Sequence, residues 1–258
     1  MSGERVYKVG GPALEDPGLV GALADEVRRG EGPAVLVHGG GRQVDRLLAA
    51  LGIESRFVSG RRATSREAME VVEMVLSGLV NKSLAAGLTA AGVPALGLSG
   101  RDAGLVRARL EPGLGQVGTP ERVDTRPLRA LWAAGLVPVV SPVSGGAEGE
   151  PVNVNADEAA LGIARALEAS TLVYLSDVDG VRVGRETVES LAAREAEERI
   201  ADGTIAGGMA LKVRVALAAA AAGIPEVVIA GQARLRGSFP GTRIVAAGVR
   251  APTTEEVT

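Results

Sequence analysis

Two short glycine runs carry the first hint of chemistry. Residues 8–11 read KVGG and residues 38–41 read HGGG, each at the end of an apolar stretch. Consecutive glycines let backbone N–H groups approach an anion, and a helix starting at the second run adds the partial positive charge of its N-terminus. A ligand-free turn accounts for one such run about as well. Two runs at the same end of adjacent strands, one beside Lys8, favour an anion site built on Gly10, Gly11, Gly40 and Gly41. Scarcity gives the second hint. Lysine occurs only at 8, 82 and 212, so 25 of the 28 basic residues are arginine, and asparagine only at 81, 153 and 155. The stretch EPVNVNADEAALG (150–162) therefore holds two of three asparagines, in alternation with Asp157. If the segment is extended, alternation puts Asn153, Asn155 and Asp157 on one side. An amide offers a donor and an acceptor without charge. Helix capping by Asn155 is the competing reading.

Other chemistries fail on inventory. There is no GxxxxGK[ST] loop, and no GxGxxG follows the first strand. HGGG also occurs as an esterase oxyanion loop, but that needs a GxSxG elbow and a separate histidine. GxSxG is absent, and His38, inside the loop, is the sole histidine. The chain has no cysteine, which excludes disulfides, thiolate zinc sites and cysteine nucleophiles. Net charge is −3 and aromatics are 2%, so neither a basic stripe nor a stacking platform for nucleic acid is present. The start, MSGERVYKVGG, does not read as a signal peptide, and the small-apolar run 215–224 is too short to span a bilayer. A soluble, cytoplasmic protein with no membrane partner is expected.

The elements that must position these residues alternate. Buried strands are expected at 5–10, 34–39, 94–100, 136–142, 171–177 and 226–231, where short apolar runs end in Gly, Pro, Ser or Asp. Amphipathic helices fall near 16–29, 41–51, 65–91, 126–134, 156–168 and 208–222, and segments 56–64 and 104–118 look like hairpins. Such β-α alternation predicts an α/β fold with a mostly parallel central sheet and helices on both faces. A lobe boundary falls near 168–171, dividing the chain into 1–168 and 169–258.

KVGG, VHGGG, EVVEMVLSGLVNK (70–82), VNVNADEAA (152–160), LSDVDGV (175–181) and IADGTIAGGMALKV (200–213) follow one another in an order and at spacings that resemble the acetylglutamate kinases, a branch of the amino acid kinase family. The resemblance runs from residue 5 to about 248. It implies two lobes around one sheet, the N-terminal lobe binding the amino acid and dimerising and the C-terminal lobe binding ATP. The implied reaction moves the γ-phosphoryl group of Mg-ATP onto the side-chain carboxylate of N-acetylglutamate, for arginine biosynthesis. Protein metal ligands are not implied, since the nucleotide phosphates would hold Mg2+.

Residue by residue, the resemblance places Lys8 beside the transferred phosphoryl group, brings Lys212 from the other lobe and has Asp157 orient both. A solvent-facing lysine is the ordinary alternative for either. Asn153 would bind substrate with Asn155 nearby, and Gly40 and Gly41 would face the same ligand. Gly10 and Gly11, with Asp177, Val178, Asp179, Gly180, Val181, Arg182, Thr204, Ile205 and Ala206, would line the ATP site; an Asp-rich turn ended by glycine is the plain alternative for 177–180. In the motif G-L-R-V-T, Arg62 matches the arginine that pairs with the substrate α-carboxylate, while Arg61 replaces leucine and Ala63 replaces valine. Lys82 and Asn81 carry no evident chemistry and read as structural.

Two other functions stay open from sequence: a sister kinase acting on aminoadipate or glutamate carried by a small acidic protein, and a non-catalytic amino-acid-binding domain. The apolar residues of 65–91 cover more than one helix face, which predicts burial against a second subunit. The resemblance implies a homodimer through that helix. With the first strand starting near residue 5, inhibition by arginine through an added N-terminal helix is not expected.

Overall fold

The computed structural model describes residues 3–246, except 11–13, 15, 17, 59–60, 185, 236 and 238–239. Eight strands form one sheet in the order Ser190–Ala192, Thr242–Val245, Glu226–Ala230, Thr171–Leu175, Arg5–Val9, Ala34–His38, Val137–Ser141, Ala95–Ser99. The last six run parallel, and the first two are antiparallel to them. Arg5–Val9 and Ala34–His38 are buried at every position, as central strands covered on both faces are, with Arg5 and Lys8 as the charged exceptions.

Side-chain alternation then sorts the core into two layers. Val6, Leu172 and Tyr174 pack on one face with the helices Ala156–Leu167 and Gly207–Ala221. Tyr7, Val9, Val173 and Leu175 pack on the other with Leu19–Arg29 and Asn81–Ala90. Lys8, two residues from Val6 and in register with Tyr174, therefore faces the first layer. Each of these buried Val, Leu or Tyr side chains contributes roughly 1.5–3 kcal/mol against exposure.

The outlying pieces differ more from expectation. The 104–118 hairpin exists as Val106–Leu110 against Val117–Val123, with a register shift at Arg107/Ala108, and its second strand runs five residues further. With Val143–Gly145 and Pro151–Val154 it closes into a small four-stranded barrel. The 56–64 hairpin pairs Arg56–Val58 with Arg61–Ala63. The expected 65–91 helix is helical throughout but not uniform: Arg66–Glu73 and Asn81–Ala90 are α, and Met74–Val80 between them is a wider π segment. Ser65 caps its start by accepting from the Ala68 N–H. This 25-residue helix is apolar and long enough to cross a membrane, yet half of its most apolar window is buried inside the chain, as in a core helix. Helix Ala193–Ala201, the edge strand Ser190–Ala192 and its neighbour Thr242–Val245 were not expected.

Candidate active site

The strand order reverses direction between Thr171–Leu175 and Arg5–Val9, and the carboxyl ends of strands at such a switch point form a crevice. Both glycine runs sit there. Gly10 N–H donates to Leu175 O at 3.1 Å and Gly39 N–H to Val9 O at 2.9 Å, so the loops are laced to the ends of the neighbouring strands. Gly11 lies outside the described residues. The loop after His38 passes directly into the helix Gly41–Ala50, whose N-terminus has no side-chain cap. Gly40 has φ +156°, and a Cβ there would stand 2.7 Å from Leu76 Cδ2, so only glycine fits against the π segment.

Lys8, Asp157 and Lys212 converge on the floor of this crevice. Lys8 Nζ is 2.8 Å from Asp157 Oδ1, and Lys212 Nζ is 3.2 Å from Oδ1 and 3.4 Å from Oδ2. All three residues are at most 9% exposed, so neither lysine faces solvent. The 156–167 and 207–221 helices bring them together because both pack on the sheet face toward which Lys8 points. Burial alone would raise the Asp157 carboxyl; the two ammonium groups outweigh it and hold it below its ordinary value. Burial, then repulsion from Lys8, pushes Lys212 down to about 8 against the pull of Asp157. Tyr174 backs the cluster. Its ring lies 5.7 Å from Lys212 Nζ and its hydroxyl donates to Asp157 O at 3.4 Å. Burial and the nearby Asp157 charge push that hydroxyl well above its ordinary value.

A cleft of about 390 Å³ opens above Lys8, and its walls include Gly40, Gly41, Arg62, Asn153 and Asn155. The five candidate substrate residues thus share one cavity with Lys8. Asn153 Nδ2 donates to Thr64 Oγ1 at 3.0 Å. The extended reading of 150–162 holds only to Val154. Asn155 is the N-cap of the next helix, accepting from the N–H groups of Asp157 and Glu158. Asp157 is therefore in a first helical turn, not on an extended stripe, because capping at Asn155 starts the helix there. The cap and the cleft position coexist in one residue.

The two arginines of the hairpin part ways. Arg62 is 8% exposed and donates to Asp45 Oδ1 at 2.5 Å, to Ser55 Oγ and to Gly41 O, with its guanidinium 4.6 Å from the Phe57 ring. Arg61 also lines the cleft but pairs with Glu158 and Glu111. With Lys8, Arg61 and Arg62 in its walls against Asp45, the cleft suits an anionic ligand.

The candidate nucleotide residues lie elsewhere. Asp177–Gly180 form a bend after the strand Thr171–Leu175, and Asp179 Oδ1 accepts from Ala233 N–H at 3.2 Å. Val181 and Ile205 have their side chains in the core, so they offer a ligand only backbone. Val181 N–H is moreover spent on Thr242 Oγ1. Arg182, Thr204 and Ala206 are exposed. Ala206 leads into Gly207, where φ is +57°, and into a 15-residue helix whose N-terminus has no side-chain cap. Such an end suits a phosphate.

Sequence reasoning missed how the glycine loop is held. His38 is fully buried, with Nδ1 2.8 Å from Gly39 O and Nε2 3.0 Å from Asn81 Nδ2. Burial lowers its pKa to about 4, so it is neutral at pH 7. The geometry fits a ring that donates from Nδ1 to Gly39 O and accepts at Nε2 from Asn81. Asn81 Nδ2 also lies 3.2 Å from Leu98 O and 2.8 Å from Val139 O, its two N–H groups being shared among the three acceptors, and Lys82 Nζ donates to Gly97 O at 2.6 Å. The scarcity of asparagine was the available signal for Asn81.

The family model described as "Amino acid kinase family" matches residues 4–231. A protein of Rubrobacter xylanophilus named acetylglutamate kinase is 45% identical over 247 residues, covering 93% of this chain and 94% of its own length. One of Chloroflexus aurantiacus with the same name is 43% identical over 250 residues, covering 94% and 97%. Among solved structures, N-acetylglutamate synthase from Neisseria gonorrhoeae, complexed with coenzyme A and N-acetyl-glutamate, superposes with a TM-score of 0.81 at 28% identity. That match covers 97% of this chain and 60% of the other.

Proposed function

The chain belongs to the amino acid kinase family, and we propose that it phosphorylates the side-chain carboxylate of N-acetyl-L-glutamate with ATP, a step of arginine biosynthesis. Its relatives named acetylglutamate kinase support the substrate and do not favour a carrier-linked acceptor. The observation that carries the chemistry is the buried Lys8–Asp157–Lys212 cluster below the cleft. A purely binding domain gains nothing from burying two ammonium groups on one carboxylate, at a desolvation cost of several kcal/mol per ion.

The acceptor carboxylate has a pKa near ~4.3 and is ionised at pH 7, so no general base is needed. Its oxygen attacks the γ-phosphorus, the bond from that phosphorus to the β-bridging oxygen breaks, and ADP leaves with the electron pair. No proton moves. What the protein must supply is position and neutralisation of charge. Lys8 and Lys212 supply the positive charge, and Asp157 holds both in place. Arg62 takes the acceptor α-carboxylate, Asn153 and Asn155 its polar groups, and the Gly40 and Gly41 amides the anionic oxygens. ATP lies along Gly10, Gly11, Asp177–Arg182 and Thr204–Ala206, its phosphates toward the N-terminus of the Gly207–Ala221 helix. Mg2+ would enter with the nucleotide, held by its phosphates.

The enzyme works in the cytoplasm as a homodimer. Met74 and Leu79, 56% and 63% exposed on the 66–90 helix, supply the apolar face for a two-fold contact. A single experiment tests the activity: hydroxamate trapping of the acyl phosphate with Mg-ATP and N-acetylglutamate, glutamate, aspartate or a carrier-linked acceptor. N-acetylglutamate is expected to lead. A preference for the carrier-linked compound would overturn the reading, as would a monomer by light scattering for the assembly.

A further inference from the structure

Arg61 stands where the resembled motif has leucine, and its guanidinium is committed to two carboxylates on different elements. Nη2 lies 2.5 Å from Glu158 Oε1, and Nη1 lies 3.4 Å from Glu111 Oε1. Glu158 follows Asp157 in the first turn of the 156–167 helix, and Glu111 follows the barrel strand Val106–Leu110. The hairpin strand that carries Arg62 is thereby tied to the helix that carries Asp157. The three side chains are 19–32% exposed, so the contact is largely withdrawn from solvent. The second oxygen of Glu158, Oε2, is buried with no hydrogen-bond partner among the described residues. Glu158 therefore leans on Arg61.

We infer that Arg61 is a positioning residue: with Glu158 and Glu111 it clasps the hairpin to the catalytic helix, and it leaves the acceptor carboxylate to Arg62. The inference rests on the proposed kinase reaction and assigns a residue the resembled motif does not contain. Its consequences have a definite sign. Removing Arg61 alone strands a mostly buried carboxylate one residue from Asp157, where it repels an anionic acceptor. Removing Arg61 and the Glu158 charge together leaves only Glu111 without its arginine, and that carboxylate is a third exposed and still accepts from Thr119 Oγ1. A direct substrate contact by Arg61 would behave in the opposite way, because the second substitution could not restore a lost ligand.

The test compares Arg61→Leu, Glu158→Gln and the double variant, reading KM for N-acetylglutamate, kcat, and amide exchange at residues 56–58 and 61–64 in ligand-free protein. Arg61→Leu is expected to raise KM about tenfold with kcat within about twofold, Glu158→Gln to raise KM about two- to threefold, and the double to return within about threefold of wild type. Hairpin amides exchange faster in Arg61→Leu than in wild type. A double variant no better than Arg61→Leu would show that Arg61 touches the acceptor and overturn the inference. Unchanged KM and exchange in Arg61→Leu would overturn it as well. If wild type fails to phosphorylate N-acetylglutamate, the functional reading falls, while the exchange comparison still decides on the clasp.

Discussion

Replacing Asp157 by asparagine keeps the side-chain shape and deletes the one charge between two ammonium groups. Lys212 already sits at about 8 with the carboxylate in place. At the 3.2 Å separation of Lys212 Nζ and Asp157 Oδ1, a charge pair in a medium of effective dielectric ~20 interacts by about 5 kcal/mol. Even a quarter of that, roughly 1.3 kcal/mol, is about one pKa unit. The Asp157→Asn variant should therefore carry Lys212 at about 7 or lower, with Lys8 now unscreened beside it. Under the proposed mechanism turnover requires charged Lys212, so kcat/KM, which reports the free enzyme, should fall as pH rises through this pKa. Profiles of kcat/KM from about pH 6 to 10 should show an alkaline limb near 8 in wild type and at least about one unit lower in the variant. At pH 8 the charged fraction drops from about one half to about a tenth or less. Phosphate ionisation near ~6 shapes only the acid limb. A wild-type profile flat to pH 10, or a variant limb left near 8, would refute the assignment of Lys212 as the titrating group held by Asp157.

Between about 8 and 10.5 the native state binds fewer protons at Lys212 than the unfolded chain does, so this group makes stability rise with pH across that window. Lys212→Met should abolish turnover yet raise Tm at pH 7, the gain fading toward pH 10.5; a lower Tm at pH 7 would contradict the reasoning. Arg62→Ala should raise KM for N-acetylglutamate about tenfold or more, the worth of a charge-assisted pair of roughly 1.5–3 kcal/mol, with KM for ATP little changed; a larger effect on ATP would misplace Arg62. Asn81→Ala strips partners from His38, Leu98 O and Val139 O, costing about 2–4 kcal/mol. Calorimetry should find Tm about 5 °C or more lower, and an unchanged Tm would mean those bonds are dispensable.

The six parallel strands were legible as short, mainly apolar runs; AVLVH, buried at every position, is the clearest, and even the edge strand Ala95–Ser99, only partly buried, keeps enough apolar residues to show. Ser190–Ala192 and Thr242–Val245 were not legible: strands of three and four residues carry too few positions for a pattern. The π segment Met74–Val80 was invisible too, since its apolar residues also satisfy an ordinary helix. At the site, rarity marked Lys8, Lys212, Asn153 and Asn155, and the structure gathers Lys8 with Asn153 and Asn155 around one cleft. The alternation read around Asp157 gave way to the cap at Asn155. Asp45, Glu111 and Glu158 went unnoticed because they are ordinary acids 17, 50 and 97 residues from the arginines they meet. No local spacing encodes such a partnership.

The strand Arg5–Val9 is made before the other strands of its sheet and ends in the middle of it, with Ala34–His38 on one side and Thr171–Leu175 on the other. On the ribosome, therefore, one of its edges stays unpaired until more than 160 further residues have been joined. At roughly 5–20 residues per second that wait is about ten to thirty seconds. Throughout it, VYKV has an open row of backbone donors and acceptors, and Lys8 has neither Asp157 nor Lys212. Closure over so long a loop is slow compared with local helix formation. A nascent chain stalled before residue 171 should therefore be sensitive to protease within 5–9 and prone to bind chaperones, and should lose both traits once 171–175 has emerged.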